Sequence, residues 1–334
     1  MKADLILKLA LVVSCAGGLF AFDTGDLAKR SDQGFKQVVV KDWQAPDEKT
    51  IPNNRFGDDV RYGKALVQET YKYIGPEVSN KNMRYAGNNL ACNSCHLDAG
   101  TKKYSAGFMG VFANFPQYSA RENAVGTIEE RINGCMTRSM NGKPLPETGK
   151  EMKAIVTYMY WLAQGVPIGA KVEGSSLTKV NRKMIMSRAA DPIAGEKVYK
   201  EMCASCHGDN GSGVKREGKA MGYEFPPLWG KDTYNTGAGM FRLIKAADWI
   251  VANMPLGATS DAKILSDDQA YDVAAYINNY DKVRPIKANK EKDFPDLKVK
   301  AADSDMGPYD DNKTRLQHKF GPYQGIIIPA KKAE

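Results

Sequence analysis

Apolar side chains recur at helical spacing in two parts of the chain. From Gly149 to Gln164, Met152, Ile155, Val156, Met159 and Leu162 fall on one helix face, and Ser266 caps a second such run through Ala270, Val273, Ala274 and Ile277. Each run closes an ordered series. In the first half Tyr62 to Tyr73 reads as a leading helix, and Thr127 with Glu130 forms a capping box that opens another. In the second, Asp191-Pro192 supplies a capping side chain followed by proline at the first turn, and the helix runs to Met202. A glycine-rich loop (Gly208 to Gly213), a non-helical Pro226-Pro227-Leu228-Trp229 stretch and a helical Gly237 to Asn253 follow. The pattern predicts a mainly α protein with two tandem domains, 50–168 and 191–283, joined by a linker at 169–190. After Pro285 the sequence is polar, lysine-rich and broken by Pro and Gly, so residues 284–334 read as a tail that wraps the domains without a core of its own.

The first residues follow a different pattern. Lys2 precedes an apolar stretch from Leu5 to Phe20, interrupted by Lys8, and a cut after Ala21 fits the small residues there, so 1–21 read as a signal peptide. No later segment reaches about 18 apolar residues. The expectation is a soluble, periplasmic protein. A second reading is a lipoprotein, because Val12-Val13-Ser14-Cys15 loosely resembles a lipobox, and lipidation of Cys15 would tether the same chain to a membrane. A mean hydropathy of −0.46 with 26% charged residues excludes a multi-span membrane protein. The net charge of +8 suits nucleic acid, an anionic surface or small anions equally, and export removes nucleic acid from that set.

Six cysteines and three histidines carry the candidate chemistry. Cys92-Asn93-Ser94-Cys95-His96 and, 111 residues on, Cys203-Ala204-Ser205-Cys206-His207 each read C-x-x-C-H. Two thiols three positions apart reach two vinyl groups on one porphyrin edge, and the next imidazole projects over the iron. A zinc site would need a further Cys/His cluster, and a redox C-x-x-C has no use for the histidine. Two covalent haem c groups are therefore expected, on Cys92, Cys95, Cys203 and Cys206, with His96 and His207 as proximal ligands. The fold class follows: two class I cytochrome c-like domains with an extended tail. His318 lies outside both repeats and reads as a surface or packing residue.

On the distal side the halves differ. Met254, in Asn253-Met254-Pro255, lies 47 residues after His207 and is the chosen ligand, with Met221 and Met240 competing. The first half lacks a Met-Pro. It offers instead Cys135, with Arg131 and Ser139 four residues to either side on one helix face and Arg138 one position round. That stripe is either a cationic pocket beside a thiolate or a core cysteine among solvated arginines, and spacing leaves both open.

The stretches RYGKALVQET, GNNLACNSCHLDAGT, FPQYSAREN, TIEERINGCMTRSMNGKPLP, FPPLWG, GAGM and NMPLG resemble the dihaem thiosulfate dehydrogenases, a family that includes tetrathionate reductases, from about Arg61 to Pro285. The resemblance implies His96 with Cys135 at the first haem, His207 with Met254 at the second, and anion binding by Arg121, Arg131 and Ser139. It implies interconversion of two thiosulfate ions and tetrathionate, with Cys135 both ligand and sulfur nucleophile, and electrons passing through the second haem to a periplasmic carrier cytochrome. Some members carry Lys where Asn253 stands, which puts ligand switching at the second haem in doubt. Two alternatives stay open: a dihaem electron carrier without a substrate, and a sulfur-oxidising cytochrome that conjugates thiosulfate to a carrier protein. A haem peroxidase is the weaker candidate, since no free histidine outside His318 is available for acid–base work.

Overall fold

The structure, a computed structural model, describes residues 38–217 and 222–326. The expected signal peptide, Cys15 and Met221 lie outside these residues. Regular structure is almost entirely helical: α1 (Arg55–Gln68), α2 (Ile128–Arg138), α3 (Lys150–Leu162), α4 (Pro192–Met202), α5 (Leu243–Asn253), α6 (Asp267–Ile277) and α7 (Arg315–Phe320), with shorter turns between them. The caps read from the sequence form as local chemistry dictates. Thr127 Oγ1 accepts from Glu130 N while the Glu130 carboxylate accepts from Thr127 N. Asp191 accepts from Ile193 N and Ala194 N, with Pro192 at the first turn. Ser266 and Gln269 form a further box on α6.

The leading helix of the first half differs from the expected Tyr62–Tyr73. It starts at Arg55, where the Asn54 side chain accepts from Gly57 N, and it breaks at Glu69, whose φ of −133° is not helical, before Thr70–Ile74 resumes. The two halves then diverge. Cys203 directly follows α4, whereas the irregular segment from Gly75 to Ala91 separates the leading helices from Cys92.

Each half is built on one helix crossing, α1 on α3 and α4 on α6. Both crossings close on a glycine. A Cβ on Gly63 would sit 2.0 Å from the Ala154 carbonyl oxygen, and one on Gly195 2.0 Å from that of Asp272. Around the first crossing Val60, Leu66, Val67, Ile132, Met136, Met152, Ile155, Tyr158 and Leu162 form one core. Around the second, Tyr199, Leu243, Ala247, Val251, Val273, Ala274 and Ile277 form another.

Linker and tail both feed the second core. Ile185, on the turn Arg182–Ser187, and Tyr323, beyond α7, are fully buried there, and Tyr323 N donates to Ile185 O at 3.0 Å. Among the described residues the tail thus contributes Tyr323 to the neighbouring core. His318 is 3% exposed, donates from Nδ1 to Ala302 O, meets Asp311 through Nε2 and stacks on Tyr309, so it is a packing residue. Lys319 is equally buried, its ammonium 3.3 Å from the Phe241 ring centre and donating to Phe241 O.

Two predictions follow from this packing. Gly63→Ala and Gly195→Ala each force two helices apart and should cost ~2 kcal/mol or more of stability, measured by denaturant unfolding of the haem-loaded protein. Burial pushes the Lys319 amine down to about 7, against the pull of Asp305. The unfolded amine titrates near ~10.4, so the unfolded chain holds a proton that the folded chain releases. This contribution to stability rises between about pH 7 and pH 10 and is lost as pH falls through that window. Lys319→Met, which keeps the stem, should flatten the stability profile there relative to the unsubstituted protein.

Candidate functional site

Both C-x-x-C-H segments sit on a helical turn that aims the histidine inward. His96 Nδ1 donates to Ala106 O at 2.5 Å and His207 Nδ1 to Pro226 O at 2.8 Å. A ring whose Nδ1 carries the proton leaves Nε2 bare, the tautomer a metal ligand needs. The loop that delivers the Ala106 carbonyl holds Asp98, Ala99, Tyr104 and Ala106 at positive φ, a conformation side chains adopt at a cost.

Each histidine faces a cavity walled by its own cysteines. The cavity of the second half measures about 300 Å³ and is lined by Cys203, Cys206 and His207 on one side and by Met254, Trp249, Ile250 and Leu228 among others. Its apolar lining, paired thiols and bare imidazole nitrogen fit a covalently attached haem. The first cavity, lined by Cys92, Cys95, His96, Cys135, Ser139, Met136 and Met140, is narrower. The same donors, paired thiols and a bare imidazole nitrogen, line it, and Cys135 adds a third thiol. Leu90, Ala91, Cys95, Tyr234 and Met240 line both cavities, so one thin wall separates them.

Met254 and Met240 both reach the second cavity, Met240 from the shared wall. Asn253 is turned away from it. Its Nδ2 donates to Tyr104 O at 3.0 Å and Trp249 O at 2.9 Å, which ties the end of α5 to the first half.

Cys135 sits near the end of α2, with Ser139 just past the last turn. Burial would raise its pKa, but the charge of Arg131, the His96 ring and Arg138 outweigh burial and bring it down to about 6. A thiol in this setting is a thiolate at neutral pH. On the α2 stripe Arg131 is exposed, while Cys135 and Ser139 line the first cavity.

Arg121 differs from what its candidate role suggests. It is 13% exposed, donates to Gly237 O at 2.8 Å, pairs with Asp293 of the tail at 2.7 Å and lies over the Phe294 ring. Burial, Arg138 and Arg242 lower its pKa to about 10, opposed by Asp293. Lys287 shares the same carboxylate at 2.7 Å. Arg138 pairs with Glu122, and Arg242 with Asp303 at 2.7 Å. Asp293, Asp303 and Arg242 went unrecognised in the sequence because their partners lie tens of residues away. The one signal was Arg242 directly before a mostly apolar helix, with Lys245 and Trp249 three and seven residues on.

Comparison with known proteins places these observations. The model of the SoxA/TsdA cytochrome c domain matches residues 82–168 and that of cytochrome c matches 193–281, so the two halves are tandem cytochrome c domains and the chain carries two covalent haem c groups. The chain is 36% identical to a thiosulfate dehydrogenase of Stutzerimonas stutzeri over 84% of its own length and 86% of that protein's. It is 40% identical to one of Psychrobacter arcticus over 75% and 71%. The solved thiosulfate dehydrogenase TsdBA of Marichromatium purpuratum, in its "as isolated" form, aligns with a TM-score of 0.63 at 33% identity, over 70% of this chain. This chain spans about half of that longer one, 48%. It belongs to the thiosulfate dehydrogenase family.

Proposed function

We propose that this chain is an exported dihaem enzyme that joins two thiosulfate ions into tetrathionate and runs the reaction in reverse when electrons are supplied. The observation that carries the reading is the placement of Cys135 in the first cavity with His96, Cys92 and Cys95, beside the charges of Arg131 and Arg138. In it, Cys92 and Cys95 hold the first haem and Cys203 and Cys206 the second. In the loaded protein His96 with Cys135, and His207 with Met254, would be the ligand pairs. Thiolate ligation would set the first haem at lower potential than a methionine-ligated second, and Leu90, Ala91, Cys95, Tyr234 and Met240, which line both cavities, would stand between the two.

The haem groups supply two one-electron acceptors, which match the two electrons released when two thiosulfate dianions become one tetrathionate dianion. The protein does the rest. Arg131, with Arg121 and Ser139 nearby, offsets the charge of the substrate sulfonates, which otherwise repel one another. The Cys135 thiolate bonds to the outer sulfur of a first thiosulfate, giving a cysteine S-thiosulfonate as two electrons leave. A second thiosulfate attacks the thiosulfonate sulfur, forms tetrathionate and returns the thiolate. The electrons pass to a periplasmic carrier cytochrome or similar redox protein. Periplasmic location rests on the apolar segment before Ala21 and on the C-x-x-C-H pairs. A membrane tether enters only with lipidation of Cys15.

Thiosulfate added to the oxidised protein should convert its haem absorption spectrum to that of the reduced form without any partner protein, and tetrathionate should reoxidise the reduced form. Cys135→Ala, with both haems still attached, should lose at least ~100-fold in rate. Full activity in Cys135→Ala would contradict a nucleophilic thiolate, and no response of the unsubstituted protein to either anion would leave an electron carrier.

A further inference from the structure

The cations linked to one another from α2 to the start of α5 come from both domains, and most are already matched. Arg121 and Lys287 share Asp293, Arg138 meets Glu122, and Arg242 meets Asp303. Two remain without an ion pair or side-chain hydrogen bond among the described residues: Arg131 of α2 and Lys245 in the first turn of α5. These two sit on opposite sides of the domain boundary.

The orientation of α5 fixes where Lys245 stands. Trp249, one turn further on, donates its ring N–H to Cys95 O at 2.9 Å, and Asn253, one turn beyond that, donates to Tyr104 O. Arg242, Lys245, Trp249 and Asn253 therefore lie along the side of α5 that faces the first domain. Lys245 is solvent-exposed yet close enough to surrounding protein that desolvation lowers its pKa, helped by Arg242 and Arg131 and opposed by Asp303. Arg242 and Arg131 thus act on an exposed ammonium at the boundary between the domains. Unmatched like charges facing each other are unfavourable until an anion comes between them.

We propose that Lys245 is a substrate-binding residue contributed by the second domain, which with Arg131 holds one terminal sulfonate of tetrathionate and, in the forward direction, that of the second thiosulfate. The inference rests on the thiosulfate–tetrathionate reading. The chemistry requires such a group: the product carries a sulfonate at each end, and a site centred on the α2 stripe supplies cations at one end only. A cation from α5 fixes the far end. Arg121, turned into the Asp293 pair, is less available for that task.

The test uses the holoprotein in its fully oxidised form, which binds tetrathionate without turning it over because no electrons are present. Isothermal calorimetry should give a dissociation constant about tenfold weaker for Lys245→Gln, as expected for loss of one charged contact. The KM for thiosulfate should rise by a similar factor, with kcat within about twofold and the haem spectrum unchanged. Lys245→Arg should restore most of the affinity. Unaltered tetrathionate affinity in Lys245→Gln would overturn the assignment while leaving the functional reading intact. A weakening that Lys245→Arg does not rescue and that tracks a fall in Tm would overturn it in favour of a structural role. If the unsubstituted protein binds no tetrathionate and is not reduced by thiosulfate, the functional reading falls and this inference with it.

Discussion

Everything in the molecule that bears on chemistry depends on the hydrogen bond from a histidine Nδ1 to a backbone carbonyl, made once in each domain. The bond decides which ring nitrogen stays bare and which way it points. His96 finds its carbonyl 10 residues downstream at Ala106 and His207 finds one 19 residues downstream at Pro226, so each loop must be folded back over its own haem-binding turn. The crossings of α1 with α3 and of α4 with α6 hold those turns in place. Gly63 and Gly195 let the helix backbones approach more closely than any larger residue would.

On this shared scaffold the difference between the domains lies on the opposite side of the cavity. Cys135 of α2 lines the first cavity and has no counterpart among the residues lining the second, where Met254 at the end of α5 stands, and Met240 lines both. The domains are joined where this difference matters. Asn235 binds Thr137 O and the Asn141 side chain at the end of α2, Asn88 binds Thr233 O, and Trp249 binds Cys95 O. These bonds tie the first haem-binding segment and the end of α2 to α5 and to the segment before it, where Tyr234 and Met240 line both cavities.

What the sequence made legible was local. A capping box, an Asp-Pro start and a C-x-x-C-H segment are complete within five residues, and Thr127, Asp191, Ser266, His96 and His207 stand as their neighbours require. The end of α1 was misplaced because Tyr62 to Tyr73 keeps helical spacing across Glu69, where the backbone alone departs from the helix. Contacts across the chain left no such trace. Nothing near Arg121 announces a carboxylate 172 residues later, and nothing in a lysine-rich tail announces that Lys319 and Tyr323 are buried. The spacing around Cys135 left its role open. Arg131 stands one turn away on the same helix, and tertiary packing adds His96 on the wall of the same cavity.

The central claim is that two domains with the same proximal side differ in their distal ligand, thiolate from Cys135 in one and thioether from Met254 in the other. Low-temperature electron paramagnetic resonance of the oxidised protein tests it most directly, because thiolate and thioether ligands give distinct low-spin signals. The account predicts one signal of each kind, with Cys135→Ala removing only the first and Met254→Gly altering only the second. Two signals of the thioether kind, or a thiolate signal that survives Cys135→Ala, would contradict it.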